Sequence, residues 1–180
     1  QGPVSDTFKT VTDVFFTDPA KFIMLLTNLE KKSHSAMDVQ TTYARQWITD
    51  EGQALTALEN FFADKRQSEL FVVYRLLSRL PSGGQLHLAN SMIVRYANFI
   101  GLRPEIKDIR VFANRGTSGI DGSTSTAIGH TLISGKPNFL ITGDLAFFYD
   151  RNAFWHNYPI QNFRVLLLNN HGGLIFDVLD

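Results

Sequence analysis

The 180 residues are 44% hydrophobic and 19% charged, with 17 basic residues against 17 acidic ones. That composition suits one globular domain, or one with a fragment of a neighbour, and its neutral balance gives no footing for nucleic acid or an anionic membrane. There are no cysteines, which removes disulfides, thiolate metal sites and cysteine nucleophiles and accords with a reducing, cytoplasmic setting.

No apolar run approaches the roughly 20 residues of a membrane span. The opening QGPVSDTFKT has neither an initiator Met nor a basic-then-apolar leader pattern, so the chain reads as a piece of something longer. Asp18-Pro19 is a helix start, an N-cap with proline in the first turn, and PAKFIMLLTNLEKK continues at helical spacing until KKSHS breaks it. From about Met37 to Asp64 apolar residues recur three or four apart, at Ala44, Trp47, Ile48, Leu55, Leu58, Phe61 and Phe62, which predicts a second helix. A third spans Ser68 to Leu80 and is stopped by Pro81 and the Gly83-Gly84 pair.

After residue 84 short apolar strands alternate with helices. The strands are QLHLA (85–89), IRVFA (109–113), NFLIT (138–142) and RVLLL (164–168), the last read as buried; the helices are 91–100, about 121–134 and 145–157. In the last of these helices Phe147, Phe148, Phe154 and Trp155 follow helical spacing and read as core. Such alternation predicts an α/β fold, a doubly wound parallel sheet with helices on both faces.

Ligands of such sheets bind beyond the carboxyl ends of the strands. Here those ends carry Asn90-Ser91, Asn114-Arg115, Gly143-Asp144 and Asn169-Asn170. Each pair alone has a plainer explanation: Asn-Asn before His-Gly-Gly is a turn signal, and Asp144 suits helix capping. Together they mark a site. Asp144, the Asn170 side chain and a main-chain carbonyl of the HGG loop are hard oxygen donors, of the kind that hold Mg²⁺ with water and a substrate phosphate. Other patterns are decoys. SGKP lacks phosphate-loop spacing, the glycines at 116, 119 and 122 lack dinucleotide spacing, and the five histidines lack metal-ligand spacing.

GDL at 143–145 followed by NN at 169–170 resembles the diphosphate-binding motif of thiamine-diphosphate enzymes, with Leu145 where that motif has glycine. NSMIVR (90–95), NRGTSGIDG (114–122), SGKP (134–137), GDLAFFYDRNA (143–153) and NNHGGLIF (169–176) together resemble one branch, the MenD family of menaquinone-biosynthetic synthases, from about residue 85 onward. The resemblance implies that Asp144, Asn170 and Gly172 hold Mg²⁺ or Mn²⁺. Ser118, Gly119, Ile120, Gly143, Leu145, Ala146, Gly173, Leu174 and Ile175 would join them around thiamine diphosphate, with Ile120 propping the cofactor in its bent shape. It further implies that Ser91, Arg95, Arg115, Ile175 and Phe176 contact substrate, the arginines pairing with the carboxylates of isochorismate. Ordinary ion pairs for the arginines, and core packing for Ile175 and Phe176, are the competing explanations.

The family reaction decarboxylates 2-oxoglutarate and adds the resulting succinyl-semialdehyde carbanion to isochorismate. By the same resemblance, residues 1–33 are the tail of a preceding central domain, and 34–180 are a diphosphate-binding domain truncated at its C-terminus. No catalytic residue is expected within these residues. The activating glutamate belongs to a pyrimidine-binding domain contributed by a partner in a homo-oligomer, a dimer or tetramer, so the fragment alone is expected to be inactive. Two other functions stay open: another thiamine-diphosphate enzyme, of acetolactate synthase or 2-oxoacid decarboxylase type, and a non-catalytic diphosphate-binding module.

Overall fold

The computed structural model describes residues 4–32, 37–63, 67–173 and 175–176, side chains of residues 30–32 and 37–41 excepted. It divides into two compact units, Gln1–Ala57 and Leu58–Asp180. In the first, α1 (Pro19–Lys32) begins as expected: Asp18 Oδ1 accepts the Lys21 N–H at 3.1 Å, and the Asp18 carbonyl accepts that of Phe22 at 2.9 Å. Helix α2 (Met37–Ala63) follows and extends into the second unit. Helical spacing here does not produce a core, since Ile23, Trp47 and Ile48 are all more than 60% exposed.

The second unit carries the alternating elements: α3 (Glu69–Leu77), β1 (Gln85–Leu88), α4 (Met92–Ile100), β2 (Arg110–Ala113), α5 (Ser123–Ser134), β3 (Asn138–Gly143), α6 (Asp144–Tyr149) and β4 (Phe163–Leu168). All neighbouring strands are parallel, in the order β2-β1-β3-β4. Successive side chains of a strand point to opposite faces, and β3 shows both faces filled. Ile141 packs with Val73 and Leu77 of α3 and with Ile93 and Ile100 of α4. Its neighbour Leu140 packs with Ala127 and Ile128 of α5 and with Phe163. Both β3 residues are fully buried. The sheet is thus doubly covered, as the alternation predicts.

Two expectations are corrected. The helix expected over 145–157 ends at Tyr149, and a short 3₁₀ turn, Arg151–Phe154, follows. The cause is Asp150: its carboxylate accepts the Ser125 N–H at 2.6 Å and bonds the Ser125 hydroxyl, satisfying the open start of α5. Phe147 and Phe154 still meet, at 5.7 Å between centroids, but Phe148 and Trp155 are exposed and are not core. The second correction concerns RVLLL. It forms an edge strand, so Leu168 is buried while Val165 and Leu167 are exposed.

On the α5 side of β1 lies His87, 3% exposed, stacked on Phe112 and met edge-on by His130. Its Nε2 is 3.3 Å from Asn138 Oδ1. Burial holds its pKa below the usual 6.5, with the Asn138 hydrogen bond opposing and His130 adding to the shift. Below about pH 6.5 the unfolded chain therefore binds a proton that the folded protein resists, so His87 favours folding above that pH and disfavours it on acidification. His87→Gln, which keeps a polar partner for Asn138, should lose less thermal stability between about pH 7.5 and pH 5 than the parent. Equal losses in calorimetry would remove His87 from the acid response.

Candidate functional site

Parallel strands deliver their carboxyl ends to one edge, and the connection leaving β1 goes to β2 on one side while that leaving its neighbour β3 goes to β4 on the other, which makes the gap between β1 and β3 a switch point in the sheet. A cavity of about 540 Å³ opens there. Each strand end reaches it: Asn90 and Ser91 after β1, Arg115 after β2, Gly143 and Asp144 at β3 and α6, Asn170 after β4. Ser118 and Ile120 join from the loop after β2 and Arg95 from α4, and Leu145, Ala146, Gly172, Gly173, Ile175 and Phe176 line it too. Two expected residues stand apart. Gly119 does not line the cavity, and Leu174 falls outside the described residues.

Asn90, 3% exposed, organises the β2 side. Its Nδ2 donates to the carbonyls of Asn114 at 2.8 Å and Gly119 at 2.5 Å, and its Oδ1 accepts from Arg115 Nη1 at 2.9 Å. The Gly119 carbonyl, one residue before the cavity-lining Ile120, is thereby held. Ser91 follows with φ 72°, the left-handed region that L-residues seldom adopt. Its hydroxyl does not cap α4, while its carbonyl accepts Arg95 Nη1 at 2.8 Å. Each guanidinium is thus anchored through one nitrogen. Among the described residues neither Arg95 nor Arg115 has a carboxylate partner. Both keep further N–H donors in a planar fork suited to a carboxylate.

The β3 and β4 side is built of oxygen donors. Asp144 is 9% exposed and, among the described residues, has no cationic partner. Its Oδ1 accepts the Leu145 N–H at 2.9 Å, so that amide is already engaged. Asn169 and Asn170 separate in role. Asn169 Oδ1 accepts the His171 N–H at 3.0 Å, bracing a loop in which His171 itself has φ 63°. Asn170 lines the cavity; its Oδ1 accepts the Gly172 N–H at 3.2 Å and retains a second lone pair. A Cβ on Gly143 or Gly172 would meet nothing within 4 Å, so the backbone there borders open space. The described residues hold no group of three or more His, Cys, Asp or Glu placed to bind a metal.

Glu69, the first residue of α3, also lines the cavity, and sequence reasoning missed it. Its Oε1 accepts Asn170 Nδ2 at 3.0 Å and its Oε2 accepts the Tyr96 hydroxyl at 3.1 Å. Burial first, then the Glu69 charge and its hydrogen bond, push the Tyr96 phenol up from its usual range. In the sequence Glu69 reads only as an acidic residue in a helix's first turn, after the N-cap Ser68. Met92, Ile93 and Leu168 also line the cavity and add apolar surface.

No family model matches the chain. Across 83% of its residues it is 49% identical to the 2-succinyl-5-enolpyruvyl-6-hydroxy-3-cyclohexene-1-carboxylate synthase of Cytophaga hutchinsonii, of which it covers 26%. Proteins of the same name from Bacteroides fragilis and Flavobacterium johnsoniae are 41% and 39% identical over 99% and 97% of the chain. In both cases it covers 30% of the relative. The chain spans less than a third of the length of the curated relatives it matches.

The scaffold of the β2 side is testable without any ligand. Asn90→Ala leaves two carbonyls and a guanidinium nitrogen without their partner, and should cost about 1–3 kcal/mol in denaturant unfolding. A change under about 0.5 kcal/mol, the scale of an unremarkable surface substitution, would show that Asn90 does not hold this wall.

Proposed function

Because the chain belongs to the family of 2-succinyl-5-enolpyruvyl-6-hydroxy-3-cyclohexene-1-carboxylate synthases, we propose that it forms the diphosphate- and metal-binding part of a thiamine-diphosphate-dependent synthase. The proposed reaction removes CO₂ from 2-oxoglutarate and joins the remaining four-carbon unit to isochorismate. One observation supports this reading: a single cavity is lined both by the oxygen-bearing Asp144, Asn170 and Gly172 and by the guanidinium-bearing Arg95 and Arg115, none of them ion-paired with a described residue.

The donor set fits Mg²⁺ or Mn²⁺. Asp144 is a buried carboxylate with no cationic partner among the described residues, Asn170 Oδ1 has a spare lone pair, and Gly172 adds a carbonyl at the cavity wall. These three would hold the metal. The start of α6 leaves main-chain N–H groups without acceptors inside the helix, which suits Gly143 to Ala146 to a diphosphate, although the Leu145 N–H must first leave Asp144 Oδ1. Ser118, Ile120, Gly173 and Ile175 would border the rest of the cofactor, with Gly119 held through the Asn90 hydrogen bond.

Thiamine diphosphate, when bound, supplies the carbon nucleophile and electron sink that the decarboxylation needs. This chain's own contribution is placement and charge. Arg95 and Arg115 bind and orient substrate carboxylates, Ser91 presents a hydroxyl that its helix does not use, and Ile175 and Phe176 border the cavity with apolar surface that disfavours water.

In the intact synthase Asp144→Ala should abolish Mg²⁺-dependent binding of thiamine diphosphate while leaving the fold intact. Calorimetry with and without Mg²⁺ reads this, and unchanged affinity would take Asp144 out of the metal site. Arg95→Ala and Arg115→Ala should instead spare cofactor binding and lower kcat/KM for isochorismate roughly ten- to a hundred-fold, the worth of a charged hydrogen bond of about 1.5–3 kcal/mol. Normal kcat/KM in both variants would contradict the carboxylate role.

A further inference from the structure

The Asn170 side chain is useful to a cation in only one of its two orientations. An amide presents an oxygen on one side and an NH₂ on the other, and exchanging them would replace a metal-binding lone pair by two donors. The orientation seen has Nδ2 donating to Glu69 Oε1 at 3.0 Å and Oδ1 accepting the Gly172 N–H at 3.2 Å. A half-turn of the amide would oppose oxygen to the Glu69 carboxylate and NH₂ to the Gly172 N–H, two mismatched contacts at once. A carboxylate accepts only, so Glu69 excludes the exchanged state. Its second oxygen is occupied by the Tyr96 hydroxyl, at 3.1 Å, which ties the carboxylate down from α4.

Resting on the reading of Asp144, Asn170 and Gly172 as a cation site, we propose that Glu69 is a positioning residue for that site. It holds Asn170 Nδ2 so that Oδ1 is presented to the metal, without contacting the metal itself. Partners of this kind behind a metal ligand typically change metal affinity by about ten- to a hundred-fold when removed.

The test uses the intact synthase with saturating thiamine diphosphate and Mn²⁺ as the probe, its free fraction read by electron paramagnetic resonance. Glu69→Leu keeps bulk but cannot accept a hydrogen bond, and should raise the Kd for Mn²⁺ by about ten- to a hundred-fold. Glu69→Gln, which still offers Asn170 an oxygen, should stay near the parent. Because Glu69 acts only through Asn170, Glu69→Leu should add nothing further in an Asn170→Ala background. Unchanged affinity in Glu69→Leu, a full additional loss on top of Asn170→Ala, or a Glu69→Gln variant as weak as Glu69→Leu would each overturn the proposal while leaving the cation site standing. Normal Mn²⁺ binding in Asn170→Ala would overturn the cation site and this proposal with it. Should Glu69→Leu fail to fold, Glu69→Ala, which likewise cannot accept the Asn170 hydrogen bond, is measured in its place, and unchanged Mn²⁺ affinity there would overturn the proposal.

Discussion

Strands that all run one way cannot be joined by tight turns, so each must be followed by a crossover that packs on a face of the sheet. Every chain reversal at the carboxyl edge is then a loop leading from a buried strand to a helix, and those loops gather at one rim. In this protein the second unit follows that constraint throughout, with four parallel strands and helices seated on both faces. Fully buried β3 residues pointing to opposite faces pin the sheet between its layers. Side chains attached to the strand ends inherit that rigidity, and so a cavity lined by short polar residues keeps its shape.

Polar residues at the rim do two different jobs, and their hydrogen bonds separate them. Asn90, Asn169 and Asp150 have backbone or side-chain partners and build walls, turns and caps. Asp144, Arg95 and Arg115 each make one hydrogen bond that anchors them and keep further capacity that no described residue fills. Of the three only Asp144 is buried, and a buried charge left in that condition is costly unless something else pairs with it; Arg95 and Arg115 are exposed to solvent. The unfilled capacity is negative at Asp144 and positive at Arg95 and Arg115, all of which line the one cavity.

Much of this was legible in the sequence. Element positions followed from local rules: the helix start at Asp18-Pro19 and the apolar strand runs appear where expected, within a few residues. Strand-end polar residues were legible because a parallel sheet dictates where they go. What was not legible involved partners distant in sequence. Asp150 ends α6 because it is drawn to Ser125 on another helix, and no local periodicity reports that. RVLLL has a buried strand's composition, but order in the sheet decides exposure, and β4 lies at an edge. Glu69 looked like an ordinary first-turn acid because its partner, Asn170, is 101 positions away.

That separation bears on how the protein folds. Local contacts form cheaply and early, whereas closing a loop of such length must await the structure between its ends. The hydrogen bond from Asn170 to Glu69 joins the first helix of the sheet unit to the loop after its last strand. Once the two are tied, every crossover between them is already in place. The residues that line the cavity therefore come into register only as the unit is completed. A ligand of that site discriminates between native and partly folded molecules, so its concentration biases the folding equilibrium itself toward the finished unit.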